Sequence, residues 1–171
     1  SEFQRAQVQR YARSNQLPIR VNDSQVSIAG VKSITRALRH RGELDLLIVD
    51  YLQLIDTGTS TRTQEEEIAR VSTALKQLAM ELDIPLVVPA QLNRSPHARP
   101  DARPTKADLR GSGRIEQDAD AVILLWHQMV EGKRTGQVTF ILDKNRHGPR
   151  GEFDLEFHGG YGAIGDIGRP A

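Results

Sequence analysis

Asp50 stands directly behind the apolar stretch LLIV. In open α/β sheets ligands sit beyond the carboxyl ends of the strands, so a carboxylate at that point can reach a bound Mg²⁺, often through water, and with it the phosphates of a nucleotide. A loop acid or a helix cap would look the same. Gln91 closes the next apolar stretch, in VVPAQLNR, at the same edge of such a sheet. An uncharged amide there can touch a terminal phosphate or the attacking water, or simply belong to a surface loop. Lys144 and Arg146 lie two apart at the end of a strand pattern, so their side chains point the same way. That geometry suits a phosphate clamp, and it suits equally a hairpin whose edge is kept charged against self-pairing. The segment RGSGR, Arg110 to Arg114, sets Gly111, Ser112 and Gly113 between two arginines. Glycines let a backbone approach a phosphate chain while arginines neutralise it, and a solvated loop is the alternative.

Such residues need elements to hold them. The run 44–49 (LDLLIV) is continuously apolar and of strand length, the pattern of a strand covered on both faces in a parallel sheet. Ser27 is placed to cap a helix whose Ile28, Val31, Ile34 and Leu38 recur at helical spacing, with Gly42 just past its end. Thr63 followed by Glu66 reads as a capping box. The helix it opens carries Ile68, Val71, Leu75, Leu78 and Leu82 on one stripe, and Asp83 with Pro85 ends it. Residues 85–88 form the next strand and 121–126 (AVILLW) a third. Residues 137–142 and 152–157 alternate around KNRHGPRG as an antiparallel hairpin, with a short strand within 159–167. A polar helix over 3–14 and a short strand over 17–21 complete the expectation. The layout is α/β: a mostly parallel sheet flanked by helices, extended by antiparallel strands.

A chain of 171 residues, 38% hydrophobic and 26% charged, is an ordinary globular composition long enough for one core. Absence of cysteine excludes a disulfide framework, a thiol nucleophile and thiolate zinc sites, and fits the cytoplasm. No run reaches the ~18 apolar residues of a membrane span. The five histidines are scattered without ligand spacing, and no G-x-S-x-G elbow is present. The net charge of +1 hides blocks. Residues 1–42 hold eight bases against two acids, 43–67 seven acids against one base, and 94–114 six bases against two acids. The last block is a loop too long for a simple connection and a candidate polyanion contact.

Taken in order, these strings resemble the C-terminal, RecA-type motor domain of the DnaB family of replicative DNA helicases over about residues 44–157. LLIVDYLQLI resembles its Walker B segment and RVSTALKQLAMELDIPLVV the following helix and strand. QLNRSPHARPDARPTKADLRGSGRIEQDADAVILL resembles its sensor and DNA-binding region, and DKNRHGPRGEFDLEF its K-x-R, Gly-Pro hairpin. The resemblance implies a RecA-like P-loop NTPase core in one partial domain: a helical lead-in over 1–43, a Walker B, sensor and DNA-loop core over 44–126, and the hairpin region over 137–167. It implies ATP and Mg²⁺, with Asp50 the Mg²⁺-associated acid and Gln91 the γ-phosphate sensor. Lys144 and Arg146 would reach into a neighbouring subunit's ATP within a hexameric ring. Arg110, Gly111, Ser112 and Gly113 would grip single-stranded DNA, helped by Arg94, Arg103 and Arg114; primase and a helicase loader are the further partners.

Two departures stand out. Gly111 occupies a position where the family usually has Glu, which removes a side-chain contact and leaves backbone contacts. No G-x-x-x-x-G-K-[ST] loop occurs, nor a placeable catalytic glutamate, so two strands are expected to lack a neighbour and the chain alone is expected to be inactive as an ATPase. The expectation is a piece of a helicase whose missing segment lies upstream. A non-catalytic module that binds single-stranded DNA or regulates is the alternative, and a RecA-like recombinase is disfavoured by the LNR…DLR string.

Overall fold

The computed structural model describes residues 18–24, 27–58, 63–93, 103–109, 112–130, 133–160 and 162–167. The expected helix over 3–14 lies outside them. Residues 18–23, expected to contain the end of a short strand, are exposed and carry no regular structure. Their apolar residues Ile19 and Val21 are about half exposed, so no burial holds an extended conformation in place.

Helix α1, Ile28–His40, starts where Ser27 accepts a hydrogen bond from the Gly30 amide at 3.2 Å. It ends in a Schellman arrangement: Gly42, at φ 70°, donates to Arg39 O and Glu43 donates to Leu38 O. The buried stripe differs from the expected one by a residue. Thr35 is buried while Ile34 is exposed, because the Thr35 hydroxyl is satisfied by Val31 O at 2.7 Å and needs no water. Helix α2, Gln64–Leu82, opens at Thr63, whose hydroxyl accepts from the Glu66 amide, and ends at Asp83 in the left-handed region at φ 48°. Its Ile68, Val71, Leu75 and Leu78 are buried as the spacing requires.

Strands β1, Leu47–Ile48, and β2, Leu86–Val87, pair in parallel as Leu47↔Leu86 and Ile48↔Val87. Val49, Leu86 and Val88 pack with Leu52, Ile68, Val71 and Leu75 on one side. The expectation that both faces are covered is not met, since Leu46, Ile48 and Val87 are roughly half exposed. After a 103–109 segment comes the short helix α3, Ser112–Asp118. Strands β3, Ala121–Val130, β4, Lys133–Asn145, β5, Gly151–His158, and β6, Ala163–Gly165, then form an antiparallel sheet in chain order. The expected hairpin and final short strand are both present, with Phe140↔Phe153 and Phe157↔Ile164 in register.

The AVILLW strand pairs along its length with antiparallel β4, and the two sheets are separate among the described residues. Among the described residues four strands keep one ladder edge without a neighbour: β1 and β2 in the parallel pair, β3 and β6 in the antiparallel sheet. The antiparallel sheet is two-faced. Val122, Leu124 and Ile141 join Leu109 in a second core, whereas Ile123, Leu125 and Phe153 are exposed on the other side. There Leu125, Phe140 and Phe153 lie side by side across three strands, the two phenyl rings stacked at 5.3 Å. Ile115 of α3 packs against both cores and joins them.

Removing a fully buried branch from α2 costs both transfer energy and a cavity. Leu75→Ala is expected to lower unfolding free energy in urea by about 3 kcal/mol, whereas Leu54→Ala, at a side chain 61% exposed, should stay within about 0.5 kcal/mol of the parent.

Candidate functional site

Asp50 and Gln91 are exposed beyond the same end of the parallel pair. Val49 donates to Val87 O and Leu52 to Pro89 O, so the strand ladder runs on past Asp50. The peptide bond between Asp50 and Tyr51 is cis. The chain then turns through a 3₁₀ segment, Leu52–Leu54, which drives Leu52 into the core and leaves Asp50 outside. Gln53 in that turn buries both amide atoms without a hydrogen-bond partner, in a small cavity shared with Gln64 and Glu67 of α2. Among the described residues no three His, Asp or Glu side chains converge as metal ligands. A single exposed carboxylate at a strand end is nevertheless the kind of donor Mg²⁺ uses when it keeps most of its water.

The long basic segment is less open than its composition implied. Leu92 and Leu109 form an antiparallel bridge, and the Asn93 amide donates to Asp108 O at 2.6 Å, which holds together the described residues on either side of the basic segment. Asp108 is 2% exposed and accepts from the backbone and hydroxyl of Thr105, capping a second 3₁₀ turn, Lys106–Asp108. Arg94, Arg110 and Gly111 lie outside the described residues. Ser112 and Gly113 form the first turn of α3, and a side chain at Gly113 would meet open space. Arg103 lies over the Trp126 ring at 5.1 Å and pairs with Glu152. Arg114 turns back along α3 to Asp118 at 3.2 Å and to the Thr73 hydroxyl at 2.8 Å.

Lys144 and Arg146 do converge on one target, and it lies in their own chain. Lys144 donates to the carbonyls of Glu116 and, at 2.7 Å, Ala119. Arg146 donates to Gln117 O at 3.0 Å and to Asp120 Oδ1 at 2.6 Å. The C-terminal carbonyls of α3 have no partner within the helix and carry the negative end of its dipole, so two cations there stabilise it.

Three contributors do not stand out in the sequence. Asp118 accepts from Ser72, Thr73 and Arg114; Asp120 Oδ2 accepts from Lys76 at 2.6 Å; and Lys106 pairs with Glu116. The two aspartates of QDAD, spaced two apart before a strand, are the available signal. Together they tie α3 to α2 on one side and to the hairpin on the other.

The described geometry is that of an α/β domain with an acid and an amide exposed beyond one end of a parallel strand pair and a cationic pair seated on the end of α3. The sequence matches the DnaB-like helicase C terminal domain family over residues 1–166, and the chain belongs to that family. It is 38% identical over 159 residues to the replicative DNA helicase DnaB of Leifsonia xyli subsp. xyli, covering 91% of this chain and 35% of that protein. It is 40% identical over 144 residues to the replicative DNA helicase DnaB of Mycobacterium intracellulare, covering 82% of this chain and 25% of that protein. Among solved structures, a DnaB-like replicative helicase studied with primase gives a TM-score of 0.77 at 31% identity, over 86% of this chain and 37% of that one. A solved ATPase domain gives a TM-score of 0.75 at 33% identity, over 83% of this chain and 52% of the other. The chain thus spans about a third of the length of the Leifsonia relative. Among the described residues no helix is long and apolar enough to cross a membrane.

The hydrogen bond from Lys76 holds the Asp120 carboxyl below its ordinary value of 3.8; the charges of Lys76, Arg146 and His147 act with it and partial burial acts against it. A carboxylate with a depressed pKa in the folded state contributes stability above the unfolded value, and that contribution is lost as pH falls through the depressed one. Thermal unfolding followed from about pH 5 down to about pH 2.5 should therefore show a smaller drop in midpoint for Asp120→Asn than for the parent.

Proposed function

We propose that this chain is the nucleotide- and DNA-engaging part of a ring-forming replicative helicase, which couples ATP hydrolysis to movement along single-stranded DNA and to duplex unwinding. The observation that carries the reading is the Leu92–Leu109 bridge. It joins the residue after Gln91 to the residue before Arg110, so the segment carrying an amide that reports on a γ-phosphate is hydrogen-bonded to the segment that leads into an arginine gripping a DNA backbone. A shift of Gln91 on loss of the phosphate would pass through that bridge into the loop.

In this reading Asp50 holds Mg²⁺ through water, and the ion supplies charge neutralisation at the phosphates. Gln91 touches the γ-phosphate or the attacking water. Lys144 and Arg146 reach the ATP bound by the adjoining subunit of a hexamer and stabilise charge that develops in the transition state, so hydrolysis requires two subunits. Arg110, Gly111, Ser112 and Gly113 hold the strand by its backbone, with Arg94, Arg103 and Arg114 as accessory bases, giving sequence-independent, salt-sensitive binding. Primase is a partner, supported by the relative whose structure concerns its interactions with primase, and a helicase loader is a second. The compartment in this reading is the cytoplasm.

Two substitutions test these roles in the assembled, ring-forming protein. Arg110→Ala should weaken single-strand binding about tenfold and make the plot of log affinity against log salt shallower by about 0.7, the share of one phosphate contact; unchanged affinity and slope would remove Arg110 from the interface. Arg146→Ala should bind ATP normally yet hydrolyse it about a thousandfold more slowly. Normal turnover would exclude it from the phosphate-reaching role.

A further inference from the structure

Arg146 is already engaged within its own chain. Its guanidinium is held at 2.6 Å from Asp120 Oδ1 and 3.0 Å from Gln117 O, and its backbone amide donates to Asp120 O at 2.8 Å. Lys144 is bound to carbonyls of the same helix end. Asp120 is in turn fixed from behind by Lys76 of α2, a residue three-quarters buried at its side chain. The Asp120 and Arg146 side chains remain 44% exposed, so the pair is open to competition from an incoming anion.

We infer that Asp120 is a positioning residue, an internal anion that parks Arg146 on the C-terminus of α3 until a nucleotide phosphate of the adjoining subunit takes its place. The inference rests on the reading that Arg146 reaches that phosphate. Its consequence falls on α3. When Arg146 and Lys144 leave, the carbonyls of residues 116, 117 and 119 lose their caps. The helix that begins at Ser112 and Gly113 then remains held by Asp118 on Ser72 and Thr73, by Glu116 on Lys106, and by Ile115 in both cores. Parking and DNA grip are thus linked through the seven residues of α3. Because such coupling is reciprocal, DNA that fixes α3 in another position should release the cations.

The groups facing Asp120 are Lys76, Arg146 and His147, all cationic or able to become so. Replacing the carboxylate with an amide of equal size removes the charge that holds Arg146 while keeping the shape of the site. In the assembled protein, Asp120→Asn should raise ATP turnover without DNA by about fivefold and lower the stimulation by single-stranded DNA by a similar factor, with Asp120→Glu restoring the parental ratio. A purely structural role would lower both rates together and leave their ratio unchanged, and that result would overturn the proposal. Arg146→Ala, measured alongside, separates the two ideas. If that variant keeps normal turnover, the phosphate-reaching role fails and parking fails with it. If it loses turnover while Asp120→Asn keeps the parental ratio, only parking fails. A measurement on the unmodified ring covers the case in which a variant does not fold. Amide hydrogen exchange at Arg146 and at residues 116–120 should accelerate when a non-hydrolysable ATP analogue fills the ring, and unchanged exchange there would overturn the proposal.

Discussion

The arrangement depends on the seating of one seven-residue helix. α3 is too short to be stable by its own backbone hydrogen bonds, and it offers a single aliphatic side chain, Ile115, to each of two cores. Everything else that holds it is polar: Asp118 on the hydroxyls of α2, Glu116 on Lys106, and the cations of the hairpin on its last carbonyls. Charge-assisted hydrogen bonds of this kind depend steeply on geometry and are stronger than neutral ones. They fix position well, yet each can be exchanged for another anion or cation at modest cost. A helix held mainly by apolar burial would not offer that exchange.

The same logic shows how the two halves of the domain are joined. α2 contributes the buried stripe Ile68, Val71, Leu75 and Leu78 to the parallel pair, and from its other side Ser72, Thr73 and Lys76 to the acidic pair of QDAD. One rigid helix therefore faces the Asp50 strand with hydrocarbon and the α3 end with polar groups. The Leu92–Leu109 bridge adds a second connection at the other end of the loop.

Much of this is legible in the residues. Helical spacing and the Ser27 and Thr63 caps locate α1 and α2, because those signals act within a few residues of one another. The hairpin around KNRHGPRG is equally local. What fails is long-range. The apolar run at 44–49 reads as a strand covered on both sides, but sequence shows only that a side chain favours burial, not that a partner lies over it, and Leu46 and Ile48 are about half exposed. α3 reads as loop because Gly111, Ser112 and Gly113 favour irregular backbone, while the contacts that stabilise the helix come from residues 10 to 46 positions away. The roles of Asp50, Gln91, Lys144 and Arg146 come from resemblance; what the structure adds is where each side chain rests.

The open edges of β2 and β3, together with the row Leu125, Phe140 and Phe153, have a practical consequence for anyone who purifies this chain. Unpaired amides and carbonyls along a strand are a template for any extended peptide, and a flat aromatic patch beside them adds the hydrophobic effect. Concentration-dependent self-association is the behaviour such a surface favours, and it would proceed edge to edge, not through the charged end at Arg146. Solubility can therefore be engineered on Ile123, Leu125 or Phe153, all exposed, without touching a charge.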